Sequence, residues 1–127
     1  MANAQNLFGD AMAAFRSGNV KLAERLFKQI LRIDKRNVPA LNLLAIVLIE
    51  LGRYEDAEKY ITAAIKLNAT SDVTFYNYGL LLKNLRRPSQ ALVQFNRALQ
   101  LNSTAPETWN NRGTVHSDLK DYSAAIA

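Results

Sequence analysis

Apolar residues recur at i, i+3, i+4 and i+7 along most of this chain, with short polar stretches between the runs, a pattern that predicts a succession of amphipathic helices. Leu41, Leu44, Ala45 and Leu48 form one stripe, and Ala57, Tyr60, Ile61, Ala64 and Ile65 form the next. The stripes repeat. Gly18 and Gly52 lie 34 residues apart, and Arg86 and Lys120 continue the series. Ala23, Ala57, Ala91 and Ala125 keep the same spacing, as do Phe27, Ile61 and Phe95. A fixed period in this range marks a repeat architecture, here with units 4–37, 38–71, 72–105 and a partial 106–127 inside a single domain, 1–127.

Each unit reads as two helices, so the fold class is all-α. Small residues at two places of the unit (Ala11, Ala45, Gly79 and Gly113, then the four alanines) let backbones approach, and bulky residues fill the space beside them. On this reading Gly79 and Gly113 are packing glycines inside helices. Pro39 and Pro106 open first helices and Pro88 opens a second one, where the missing amide hydrogen costs nothing. Gly18 and Gly52 suit the left-handed residue that ends a helix. Turns are also expected at Arg86 and Lys120, slightly strained or 3₁₀-like for want of glycine. The short loops make neighbouring helices antiparallel.

These residues resemble the tetratricopeptide repeat, whose pattern is Trp-x₂-Leu-Gly-x₂-Tyr followed by Ala-x₃-Phe and Pro. Trp109 to His116 is the best single match; Phe75, Tyr78, Gly79, Leu82, Ala91 and Phe95 give another, and Leu41, Leu44, Ala45, Leu48, Ala57 and Ile61 a third. The first unit departs most, with Asp10 where leucine is usual, and the terminal proline is missing, with Lys35, Ala69 and Ser103 in its place. The resemblance implies a right-handed superhelix of antiparallel helix pairs whose first helices line a concave groove. It places Phe8, Met12, Phe15, Asn42, Ile46, Ile49, Tyr76, Asn77, Leu80, Lys83, Asn110 and Asn111 in that groove, apolar toward the N-terminal end and polar toward the C-terminal end.

An apolar groove suits an amphipathic helix or an extended peptide, so the expected role is a protein-interaction scaffold with a peptide or protein partner. Chaperone-docking relatives hold a terminal carboxylate with Lys, Arg and Asn. Here Phe8, Met12 and Leu43 stand at the corresponding places, which argues against that ligand. Asn77 and Asn111 resemble the asparagine ladder of O-linked N-acetylglucosamine transferases. The wording of units two to four is similar to repeats that precede such catalytic domains in bacteria, which makes the substrate-recognition arm of a larger glycosyltransferase the alternative. A self-assembling repeat module is the third reading. The fourth unit stops at Ala127, about six residues into its expected second helix, leaving Ala125 and Ile126 without the rest of the repeat. That predicts a fragment of a longer array, or a homo-oligomer formed through the uncapped end.

Composition removes other classes. With 16 Lys plus Arg against 11 Asp plus Glu, the chain carries +5, distributed over the units as +4, −1, +3 and −1. Lys21, Arg25, Lys28 and Arg32 form a stripe on one helix face that reads as solvated. No aromatic residues interleave it for base stacking, which argues against nucleic acid. The absence of cysteine excludes disulfides, thiolate zinc sites and cysteine nucleophiles. The only histidine, His116, stands where Ala14, Leu48 and Leu82 stand in other units, so it is expected in the core, and no catalytic constellation can be assembled around it. The expectation is no enzyme activity and no cofactor. No apolar run approaches the roughly 20 residues of a membrane span, and the N-terminus meets Asp10 before any long apolar region, so a cytoplasmic location is expected.

Overall fold

The structure, a computed structural model, describes the backbone of residues 3–126 and the side chains of Asn3 and of residues 5–120. Seven helices occupy the described residues: α1 (Ala4–Arg16), α2 (Val20–Ile33), α3 (Val38–Glu50), α4 (Tyr54–Leu67), α5 (Asp72–Asn84), α6 (Pro88–Leu101) and α7 (Pro106–Ile126). They fall into two compact units, Met1–Asn68 and Ala69–Ala127.

Helix boundaries follow from local chemistry. The side chains of Asn3, Asn19, Asn37 and Ser71 each accept a hydrogen bond from the backbone N–H three residues on, which starts α1, α2, α3 and α5. Pro88 and Pro106 are the first residues of α6 and α7, and Pro39 is the second of α3. Three hairpin turns share one hydrogen-bond pattern at the 34-residue period: Asn19 N–H donates to Ala14 O (2.9 Å), Arg53 N–H to Leu48 O (2.8 Å) and Arg87 N–H to Leu82 O (2.8 Å). Each closes over a left-handed residue, Gly18 at φ 84°, Gly52 at φ 75° and Arg86 at φ 59°. Arg86 thus carries the strain expected of a turn without glycine.

In the first unit α2 packs on both α1 and α3, and α3 packs on α4. Its interior is made by Ala11, Ala23, Phe27, Ile30, Leu44, Ala45, Leu48, Ala57, Ile61 and Ala64, all fully buried. In the second unit α6 packs on α5 and α7, and α5 also touches α7. The core there is Leu82, Ala91, Phe95 and Val115, with Tyr76, Tyr78, Leu80, Leu92 and Leu119 packed around it. A Cβ on Gly79 would meet three atoms of the Phe95 ring within 2.8 Å, so close helix approach explains that glycine.

Three expectations about the fourth unit are corrected. No turn forms at Lys120: α7 runs unbroken from Pro106 to Ile126. The difference from Arg86 is Pro88, which cannot donate the amide hydrogen that would carry α5 onward; no proline follows Lys120. His116 is exposed and outside the core. Its counterparts Ala14, Leu48 and Leu82 are buried beneath a second helix, which α7 lacks among the described residues. Gly113 is no packing glycine either, since an added Cβ meets nothing within 4 Å. The expectation that Ala125 and Ile126 lie uncovered concerns side chains outside the described residues.

Candidate functional site

The first helices carry the candidate residues. On α1, Phe8, Met12 and Phe15 are spaced i, i+4 and i+7, and on α3, Asn42, Ile46 and Ile49 are spaced i, i+4 and i+7; all six are half-buried. Helix packing uses other faces, since Ala11 and Ala14 of α1 and Leu41, Leu44, Ala45, Val47 and Leu48 of α3 are buried. Phe8 does double service, because its ring meets that of the buried Phe27 edge-on, with centroids 6.0 Å apart and planes at 74°. The first unit therefore shows two partly solvated apolar stripes on helices that both pack against α2.

The second unit is more polar at the equivalent places, Leu80 apart. Tyr76 packs its ring against Phe95, with centroids 6.1 Å apart. Its hydroxyl accepts a hydrogen bond from Asn111 Nδ2 (3.1 Å), whose Oδ1 accepts one from Lys83 Nζ (3.4 Å). Tyr76, Lys83 and Asn111, drawn from α5 and α7, are thus linked through their side chains. Burial raises the Tyr76 phenol above its ordinary pKa; the carboxylate of Glu107 adds to this and the Asn111 bond opposes it. Leu80 is half-buried against the core cluster, and Asn110 is exposed, apart from the others. Asn77 is only 5% exposed, and its Nδ2 has no hydrogen-bond partner.

A cavity of about 440 Å³ opens beside Tyr76 and Asn77. Asp72 and Val73, at the start of α5, form part of its wall; the loop residues Asn102, Thr104 and Ala105 and the α7 residues Pro106, Glu107 and Thr108 form the rest. Asn102 shapes the loop: its Oδ1 accepts from both N–H and Oγ1 of Thr104 (3.2 and 2.9 Å), while its Nδ2 donates to Asp72 Oδ2 (3.2 Å). The pattern of apolar positions does not reveal these wall residues. One available signal is that Asp34, Asn68 and Asn102 stand 34 residues apart. Asp34 makes the same kind of loop bond, accepting from Arg36 N–H at 3.1 Å.

The basic stripe lies on α2, where Lys21, Arg25 and Arg32 are exposed. Lys28 is tied to Glu24 (2.7 Å), and the same Glu24 oxygen binds Arg53 Nη1 (2.7 Å), the residue that precedes α4. Among the described residues no group of His, Asp and Glu could hold a metal ion, and no helix is long and apolar enough to cross a membrane.

Profiles of the tetratricopeptide repeat match residues 14–73 and 74–104. Human tetratricopeptide repeat protein 7B is 32% identical over 66 residues, 52% of this chain but only 8% of that protein's length. Among solved structures, the first such domain of Spaghetti (RPAP3), bound to the HSP90 peptide SRMEEVD, is 19% identical with a TM-score of 0.90, covering 93% of this chain and 94% of that one. Thermobaculum terrenum O-GlcNAc transferase is 26% identical with a TM-score of 0.84, over 88% of this chain and 22% of that chain. The repeat profiles, the helix-hairpin fold and the 34-residue spacing of Ala23, Ala57 and Ala91 agree: the chain belongs to the tetratricopeptide repeat family.

Proposed function

We propose that the chain is a protein-interaction scaffold that binds a peptide or short helix on its first helices. The observation that carries this is the half-burial of Phe8, Met12 and Phe15 on α1 and of Ile46 and Ile49 on α3. Those apolar side chains keep part of their surface in water although the helices are already packed by other residues. Covering them removes apolar area from solvent at about 25 cal/mol per Å², and stripes at this spacing suit a helix or strand laid along them. Relatives in fold support the reading, because the RPAP3 domain holds a peptide. Replacing Met12 and Ile46 together by Asp tests it. Loss of partner capture with unchanged far-UV helicity is expected; capture that survives the double substitution contradicts the proposal.

A second reading is favoured by the 26% identity to the transferase from Thermobaculum terrenum, in which this chain matches 22% of the length. In that reading the chain is the substrate-recognition arm of a larger glycosyltransferase. Sequencing the adjoining coding region tests it, a transferase domain in frame being the supporting result.

A further inference from the structure

We infer that the cavity between the starts of α5 and α7 receives a cationic side chain, Arg or Lys, of the bound peptide. This rests on the peptide-binding reading above and adds a charge preference to it. An acidic residue in the first turn of a helix is ordinary chemistry, since it complements the helix dipole. Here two such residues, Asp72 and Glu107, line one cavity, and a buried amide with no partner lines it with them.

The charge is uncompensated inside the protein. No Lys or Arg belongs to the cavity wall, and among the described residues neither Asp72 nor Glu107 forms an ion pair, although the chain as a whole is basic. Asp72 accepts one hydrogen bond from Asn102, which leaves acceptor capacity on both carboxylates. A volume of about 440 Å³ accommodates a long side chain, and pockets for small ligands start at about 300 Å³. Val73, Tyr76 and Pro106 supply apolar wall for the methylene stem, while the charged head reaches the carboxylates. Asn77, only 5% exposed and with its Nδ2 unbonded, forms part of the same wall and reports on what occupies the cavity. Acidic peptides meet like charge at this place.

The test uses capped, labelled nonapeptides of alanine and serine with one central residue, arginine, lysine, citrulline or glutamate, titrated into the full chain. Fluorescence anisotropy gives affinity, and the Asn77 side-chain amide signal in a ¹⁵N correlation spectrum gives location. Arginine and lysine should bind about tenfold more tightly than citrulline, shift the Asn77 amide, and lose their advantage in Asp72→Asn with Glu107→Gln. Those substitutions keep hydrogen-bonding groups of the same size, and the dispersion of the spectrum verifies the fold. Equal binding of all four peptides overturns the cation pocket alone. A charge preference that persists in the double variant also overturns it. Binding of none also overturns the cation pocket, while the peptide-binding reading stands or falls separately on the Met12 and Ile46 substitutions.

Discussion

The ring of Phe95 occupies the space a side chain at Gly79 would need: a Cβ there would lie within 2.8 Å of Cδ1, Cε1 and Cζ. Phe95 is fully buried and cannot swing away. Gly79→Ala therefore sets an overpacking cost of about 1–3 kcal/mol against a helix-propensity gain of about 1 kcal/mol, for an expected net loss of about 1 kcal/mol. Gly113, with nothing within 4 Å of an added Cβ, should behave oppositely. Gly113→Ala should gain about 0.5–1 kcal/mol. Urea denaturation of the two variants side by side reads both signs.

Arg86 holds a backbone conformation that L residues rarely adopt, at φ 59°, in the turn where the two preceding units have glycine. Arg86→Gly relieves that strain but loosens the unfolded chain, so the expected gain is up to about 1 kcal/mol. Gly52→Ala should move the other way by a similar amount, although nothing lies within 4 Å of its added Cβ. Thermal midpoints of the two variants should bracket the wild type.

Glu24 on α2 holds Lys28 of the same helix and Arg53 of the turn that precedes α4. The Lys28 hydrogen bond is the main cause that lowers its carboxyl pKa; burial opposes it and the Arg53 bond adds to it. A carboxyl held below its unfolded value contributes stability that is complete above the ordinary range near 4.5 and is lost as pH falls through the lowered folded value. Glu24→Gln should flatten the acid limb of stability against pH while leaving the alkaline limb unchanged. An unaltered acid limb in the variant counts against the linkage, as would insensitivity of the wild-type limb to salt.

Tyr76 carries the opposite dependence. Its phenol is raised by burial first and by Glu107 second. The stability it contributes is present below the ordinary tyrosine value near 10 and is lost as pH rises through the raised folded value. Difference titration of phenolate absorbance, wild type minus Tyr76→Phe, should show one tyrosine ionising late. Glu107→Gln should bring that ionisation earlier.

The helix hairpins were legible because close backbone approach leaves a compositional mark. Ala11, Ala45 and Gly79 recur at one place, Phe27, Ile61 and Phe95 at another, and all of them are buried. The fourth unit departs from its alignment because Lys120 matches Arg86 in position without the neighbour that enforces the earlier break. Pro88 compels the chain to leave the helix, and Lys120 has no such neighbour. The position of His116 in the repeat predicts a core residue, yet burial there depends on a second helix to cover it. The resemblance to the repeat is what assigns Phe8, Met12 and Phe15 to the groove face. The cavity is not legible there, since its wall joins Asp72 and Asn77 of α5 to Asn102 of the loop and Glu107 of α7, polar residues that follow no apolar period.

Methyl-group NMR of the full chain with a peptide selected for binding tests the central claim most directly, because it reports where the partner lies. Shifts concentrated on the methyls of Met12, Ile46 and Ile49 are the predicted result. Shifts confined to Ile33, Val93 and Leu101, the exposed apolar residues of second helices, would contradict it.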